Sequence, residues 1–120
     1  MLIPPVVPPG QSTKFDGHRA YEFARAQVEI GPRPTGSPAG WATGDFILTS
    51  LAQSGWAVET QPFVFKGVQG RNIVGKGGQG PVILLGAHYD TRPAADFDSD
   101  PARRQQWIDG AHDGARGVAV

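Results

Sequence analysis

The order of apolar and polar positions along the chain predicts two helices followed by three strands. The first helix is expected at residues 16–30, because Asp16 is a favourable capping residue and Gly31 and Pro32 end the pattern. One face of this helix has a mostly apolar stripe, formed by Ala20, Phe23, Ala24, Gln27 and Val28. The helix is therefore expected to pack this face against the rest of the protein.

A second helix is predicted to begin after Ser37 and to close at Ser54 and Gly55. Ser37 is a good capping residue, and Pro38 suits the first helical position because its missing N–H is not needed there. Apolar and small residues recur at intervals of three and four along one face, at Gly44, Ile47, Leu48 and Leu51. This face is therefore expected to be buried.

Three β-rich runs follow, at residues 56–66, 71–76 and 81–87. The glycine-rich link at 75–80 is interpreted as a turn, because a phosphate-binding loop needs a helix after it and a Lys-Ser/Thr end. The third run is uninterrupted apolar sequence from Val82 to Ala87, which is typical of a strand buried on both faces of a parallel sheet. The fold class is therefore predicted as α/β with a mixed sheet.

Candidate chemistry follows the third run. His88 and Asp90 are separated by one residue, so on a strand both point to the same side, at the carboxyl end where α/β sheets bind ligands. The segment DGAHDGA at 109–115 places Asp113 at the expected start of a third helix. His88 is a candidate metal ligand that Asp90 orients, and Asp113 is a second candidate. The alternatives are a polar strand end for His88 and a helix cap for Asp113.

Composition narrows the function without identifying it. The chain has 120 residues, enough for one domain, and its 11 basic and 11 acidic residues argue against a nucleic-acid-binding face. Cysteine is absent, so a metal would have to be bound by His and carboxylates. Residues 1–13 are interpreted as a Pro-rich tail, and residues 14–120 as the domain. The sequence has no transmembrane run and no signal-peptide pattern at its start.

The loop at residues 91–109 is long for a compact domain, and long ordered loops tend to be functional. Its DFDSD segment at 96–100 resembles the opening of a calcium-binding loop. However, Pro101 stands where such a loop needs Gly, and Trp107 stands where it needs a bidentate Glu. The calcium interpretation is therefore rejected.

Three motifs together resemble the M28 family of zinc exopeptidases, which includes aminopeptidases and the related glutaminyl-peptide cyclotransferases. They are GPRPTGSP at 31–38, GAHYDTRP at 86–93 and GAHDGARGVAV at 110–120. The resemblance extends from about Phe15 to Val120. It implies a partial zinc-exopeptidase-like (phosphorylase/hydrolase-like) fold, in which this chain is the amino-terminal portion and stops after the start of a third helix. Members of the family are often exported.

The resemblance also implies roles for three residues. In the dinuclear peptidases of the family, the position of His88 binds zinc, that of Asp113 bridges two zinc ions, and that of Asp90 orients the His. In the cyclotransferases there is one zinc, which the position of Asp113 binds and that of His88 does not. There the substrate's α-amine attacks its own γ-carboxamide and releases ammonia. The acidic loop at 96–101 looks most like bacterial cyclotransferases. Either activity implies the amino terminus of a peptide or protein as the partner.

Two features depart from the family pattern. The further ligands and the general base come from Glu, Asp and His residues later in these enzymes, whereas no Glu follows Glu59 here. His112 stands where the family usually has Asn or a small residue, and Arg116 where it has Ser or a small residue. His112 is interpreted either as an extra ligand or as an ordinary imidazole. Arg116 is expected in the first turn of the third helix, where its charge is unfavourable beside a metal.

Three hypotheses remain open. In the first, the chain is part of a zinc aminopeptidase or cyclotransferase that is incomplete as it stands. In the second, it is a non-catalytic M28-derived module that binds a partner or another copy through an exposed sheet edge. In the third, it is a small α/β protein with an incidental His/Asp cluster. Zinc binding favours the first hypothesis, and metal-independent self-association through exposed apolar surface favours the second.

Overall fold

A computed structural model describes residues 14–120, so the predicted Pro-rich tail lies outside the described residues. In chain order the elements are helix α1 (Gly17–Ile30), helix α2 (Pro38–Gln53), strand β1 (Ala57–Phe65), strand β2 (Val68–Lys76) and helix α3 (Arg116–Ala119). A single turn of 3-10 helix at Pro101–Arg103 interrupts the long irregular segment before α3. Within residues 14–120, no helix is long and apolar enough to cross a membrane.

Both long helices begin at the predicted caps. The Asp16 side chain accepts a hydrogen bond from the Arg19 N–H at 3.1 Å, and Ser37 Oγ accepts one from the Gly40 N–H at 3.0 Å. Each cap satisfies an N–H group that has no partner inside its helix. The predicted positions of the two helices are therefore confirmed.

Strands β1 and β2 form an antiparallel hairpin whose register runs from the pair Ala57 and Lys76 to the pair Phe65 and Val68. The two turn residues, Lys66 and Gly67, have φ angles of +48° and +79°. Positive φ at both positions is the signature of a turn whose twist matches that of the strands. Strand β2 begins three residues earlier than predicted, because pairing with β1 continues through Gln69 and Gly70 despite the weak strand preference of glycine.

The prediction that residues 82–87 form a strand buried on both faces is wrong for the described structure. The sheet of residues 14–120 contains only β1 and β2 and is antiparallel rather than mixed. Residues 82–85 are 83–95% exposed. A strand is completed by hydrogen bonds to a neighbouring strand, and no described strand lies beside this segment. The α/β class and the partial fold are nevertheless confirmed.

The core lies between α1, α2 and one face of the hairpin. Ala26, Phe46 and Ile47 are buried at its centre, and the rings of Phe23 and Phe46 are 6.1 Å apart. Two residues from the motif segments, Tyr89 and Val118, pack against this core. The Tyr89 hydroxyl also donates a hydrogen bond to the Arg71 carbonyl at 2.9 Å. Tyr89, which follows His88, and Val118, which lies after Asp113, thus hold the two motif segments against the core.

Candidate metal centre

His88 lies between two carboxylates. Its Nδ1 is 3.1 Å from an Asp90 side-chain oxygen, and its Nε2 is 2.9 Å from an Asp113 side-chain oxygen. Asp90 is held in turn by Thr35, whose hydroxyl donates to the other Asp90 oxygen at 3.1 Å. The three residues predicted from the sequence are therefore brought together, although they are as many as 25 positions apart in the chain.

The electrostatics of this group favour a proton on both ring nitrogens. Partial burial by itself lowers the pKa of His88, but the hydrogen bond to Asp90 and the negative charges of Asp113 and Asp90 outweigh it, and the pKa is raised above its ordinary value. Both ring nitrogens face a carboxylate oxygen, which is the arrangement of an imidazolium. A cation at Nε2 could therefore replace that proton and would meet the carboxylate of Asp113.

The turn that presents Asp113 is not helical. Asp113 has φ −86° and ψ 97°, and Gly114 has φ +103° and ψ −71°, so α3 begins only at Arg116. The residue that caps α3 is Ala115, with no side-chain capping bond, and the interpretation of Asp113 as a helix cap is therefore wrong. The kink leaves the Asp113 carboxylate free to face His88.

Gly114 makes this approach possible. A Cβ atom at Gly114 would lie 3.0 Å from the Asp90 carbonyl oxygen and 3.5 Å from His88 Cε1, at a φ that side chains with L chirality rarely adopt. The turn is also held from α1, because Gln27 donates from Nε2 to the Ala115 carbonyl at 3.1 Å. Gln27 was predicted only as part of the buried stripe.

Arg33 was missed as a functional candidate. It is fully buried, and its guanidinium donates to main-chain carbonyls of both motif segments, those of Tyr89, Asp109 and Gly110. Desolvation lowers the pKa of this side chain, and the charges of Asp109 and Asp90 partly offset the effect. Its position inside the GPRPTGSP segment, which already resembled the family, was the feature that could have identified it.

His112 and Arg116 lie beside each other on the exposed side of the turn. His112 Nδ1 is 3.3 Å from an Arg116 guanidinium nitrogen. Among residues 14–120, no three His, Asp or Glu side chains form a group that could hold a metal ion. The His112 ring faces Arg116, and its two interpretations stay predictions.

The acidic loop is held by contacts of its own. Arg92 forms two hydrogen bonds with the Asp96 carboxylate, at 2.9 and 2.7 Å, which lower the pKa of Asp96, and it stacks over the Phe97 ring at 3.9 Å. Asp98 and Asp100 accept main-chain N–H groups two residues ahead of them. Asp98 and Asp100 thus stabilise turns within the loop.

The His88 and Asp113 side chains suit a zinc ion as two of its ligands. Tetrahedral zinc with ligand atoms at about 2.0–2.1 Å separates those atoms by roughly 3.3 Å, so the 2.9 Å between Nε2 and the Asp113 oxygen needs to open only slightly. Asp90 occupies the position of the carboxylate that holds the far nitrogen of a metal-binding imidazole. Catalytic zinc usually has three protein ligands, and the described residues provide two.

A cleft of about 800 Å³ opens beside His88 and Asp90. Its walls are α2, β2, residues 84–90 and the end of the chain, with Ile47, Ile73, Leu84 and Val118 among the apolar side chains that line it. Apolar clefts with a few polar groups at one end are typical of sites for small ligands and peptide ends.

Comparison with solved structures gives close matches. The chain matches a leucine aminopeptidase precursor from Bacteroides thetaiotaomicron with 36% identity and a TM-score of 0.80, and a glutaminyl cyclase from Porphyromonas gingivalis with 33% identity and a TM-score of 0.75. A Zn-dependent exopeptidase from Parabacteroides distasonis matches with 30% identity and a TM-score of 0.73. Each match covers 88% of this chain and 39% of the other protein.

No protein-family model and no curated protein sequence matches the chain. The structural matches include both an aminopeptidase and glutaminyl cyclases, so they agree with the two branches of the predicted resemblance without separating them. The resemblance itself is confirmed: the chain has the M28 and glutaminyl cyclase-like fold, over a part that spans 39% of the length of these relatives.

Proposed function

We propose that this chain contributes the His88 and Asp113 ligands to the zinc site of an M28-type metallopeptidase that hydrolyses amino-terminal peptide bonds. The observation that supports the proposal is the position of His88, with Asp90 at Nδ1 and Asp113 at Nε2. Nδ1 is held by a carboxylate that orients the ring, and Nε2 faces the residue that would share the metal. One solved relative is a Zn-dependent exopeptidase and another a leucine aminopeptidase precursor.

Each residue has one part in this function. Asp90 fixes the ring orientation of His88, and Thr35 fixes Asp90. Asp113 provides negative charge at the position where a cation would lie. When bound, zinc supplies Lewis acidity, which polarises a carbonyl group and acidifies water. The apolar cleft beside His88 and Asp90 would accept the side chain of the amino-terminal residue of the peptide substrate.

The alternative of a glutaminyl-peptide cyclotransferase rests on the glutaminyl cyclases among the solved relatives. It uses the same Asp113 but does not require His88 as a ligand. The product would be an amino-terminal pyroglutamate. Both proposals thus share one zinc ligand and differ at the other.

Zinc content tests the proposal. After loading with zinc and extensive dialysis, the purified chain is expected to retain about one zinc ion, held by two protein ligands and water. The double variant H88A/D113A is expected to retain almost none, since both ligands are gone. Asp96→Ala is the matched control, because this exposed carboxylate pairs with Arg92 outside the site. Equal retention by the wild type and the double variant would contradict the proposal.

A second candidate is a non-catalytic module that assembles through the apolar segment at residues 82–85. The observation in its favour is the 83–95% exposure of four consecutive large apolar side chains. An exposed apolar run whose main chain pairs with no described strand is a template for pairing with another chain.

This second candidate predicts self-association in the presence of a chelator. Burial of one leucine side chain stabilises an interface by about 1.5–3 kcal/mol, so Leu84→Lys is expected to weaken association by roughly tenfold or more. Sedimentation velocity over a concentration series measures the effect. Gln79→Lys, which adds the same charge outside the apolar run, should associate as the wild type does. A wild-type chain that stays monomeric at all concentrations excludes this candidate.

A further inference from the structure

Arg33 is unusual because a charged side chain is completely buried and its hydrogen bonds go to main-chain carbonyls. Its Nε donates to the Tyr89 carbonyl at 2.9 Å, Nη1 to that of Asp109 at 2.8 Å and Nη2 to that of Gly110 at 2.9 Å. Burying a guanidinium is costly unless its donors are satisfied, so these carbonyls hold Arg33 in one orientation. The planar fork of donors reaches separate acceptors at the same time.

The three carbonyls belong to the two segments that form the candidate site. Tyr89 lies between His88 and Asp90, whereas Asp109 and Gly110 open the turn that ends in Asp113 and Gly114. One side chain therefore joins the segment of the imidazole to the segment of the carboxylate. The His88 and Asp113 side chains meet on the other side of this junction.

Thr91 and Gly110 complete the junction. Thr91 is 2% exposed, its hydroxyl accepts from the Arg33 N–H at 2.9 Å, and its own N–H donates to the Arg33 carbonyl at 3.2 Å. A Cβ atom at Gly110 would lie 2.5 Å from the Thr91 methyl group and 3.1 Å from Arg33 Nη2. Only glycine lets the turn approach Arg33 this closely.

We infer that Arg33, supported by Thr91, is a positioning residue that sets the separation of His88 and Asp113. It does not touch a ligand atom of either residue; it fixes the main chain on which both stand. Its consequence for metal binding rests on the proposed function, whereas its consequence for the geometry of the metal-free protein does not. Lysine keeps the charge of Arg33, but its three donors sit on one nitrogen and cannot reproduce the planar fork, in which Nε, Nη1 and Nη2 each donate to a different carbonyl.

A metal-free experiment tests the geometry. Gly114 lies against His88 Cε1, so the NMR spectrum of the purified chain in a chelator is expected to show an NOE between His88 Hε1 and the Gly114 α protons. Arg33→Lys is expected to abolish this NOE. Arg71→Lys is the matched control, because Arg71 is a partly buried arginine that bonds to Trp41 and Asp45, and it should keep the NOE. Persistence of the NOE in Arg33→Lys overturns the inference.

Thr91 provides a second pair of variants that disturb the fold less. Thr91→Val has the same shape but cannot accept the Arg33 N–H, and it is expected to weaken the NOE markedly. Thr91→Ser keeps the hydroxyl and should restore it. Loss of the NOE in both variants to the same degree would mean that the hydroxyl has no positioning role, and would overturn that part of the inference.

Zinc affinity is the second readout. Loss of a residue that orients metal ligands typically weakens binding 10–100-fold, so Arg33→Lys is expected to raise the zinc Kd by about tenfold or more while Arg71→Lys leaves it unchanged. If Arg33→Lys binds zinc as the wild type does, the inference is wrong. If the wild type binds no zinc but the NOE depends on Arg33, the proposed function fails and the positioning role stands.

Discussion

Asp113→Asn is expected to weaken zinc binding by about 100-fold or more. The substitution preserves the size of the side chain but removes the charge that faces His88 Nε2 at 2.9 Å. Residues behind the ligands contribute 10–100-fold to metal affinity, so loss of a charged ligand should reach or exceed the upper end of that range. Competition with a chromophoric chelator at constant pH measures the Kd. Asp96→Asn, the same change in a carboxylate that pairs with Arg92 outside the site, is the control and should bind normally.

His88→Gln then separates the two activities that share Asp113. In the peptidase arrangement His88 is a ligand, and the variant is expected to lose affinity to a degree similar to Asp113→Asn. In the cyclotransferase arrangement His88 is not a ligand, and the variant should keep the affinity of the wild type. Normal affinity in both the His88 and the Asp113 variants would show that zinc binds elsewhere and would contradict both proposals.

Gly114→Ala is expected to lower the free energy of unfolding by about 2–3 kcal/mol. A residue forced into a sparsely populated backbone conformation costs about 1–3 kcal/mol, and Gly114 has φ +103° and ψ −71°. The added methyl group would also lie 3.0 Å from the Asp90 carbonyl oxygen, which must then move. Urea unfolding measures the change.

The matched control for this variant is Gly86→Ala. Gly86 lies two residues before His88 in the neighbouring segment, and a Cβ atom there would have open space around it. Its stability is expected to stay within about 0.5 kcal/mol of the wild type. A Gly114→Ala protein as stable as the Gly86 control would mean that the turn can change shape at little cost, and that its kink does not constrain Asp113.

The helices and the hairpin could be predicted because neighbouring residues determine them. Asp16 and Ser37 cap helices within their own first turns, and the turn at Lys66 and Gly67 joins strands that are adjacent in the chain. The proximity of His88 and Asp90 also follows from the sequence, because only one residue separates them. Their contact with Asp113 was expected only through the resemblance, because nothing local brings residues 88 and 113 together.

The features that could not be predicted depend on distant partners. Residues 82–87 have the composition of a buried strand, but a strand is defined by a neighbour, and none of the described strands pairs with them. Arg33, between two prolines, has the local sequence of an exposed link, and only its carbonyl acceptors more than 55 positions later make it a buried residue. Arg33 can position the site only when the turn at residues 109–114 is folded against it, because two of its acceptors belong to that turn.

Arg33 and Gln27 form hydrogen bonds with residues far away in the sequence, and this affects the order of folding. Arg33 bonds to a residue 77 positions away and Gln27 to one 88 positions away, whereas the hairpin joins adjacent strands. The entropy cost of closing a loop rises with its length, and contacts of large sequence separation form slowly. The contact between His88 and Asp113 should therefore be among the last to form. In a refolding experiment, uptake of a metal ion at this site would lag behind helix formation and report completion of the fold.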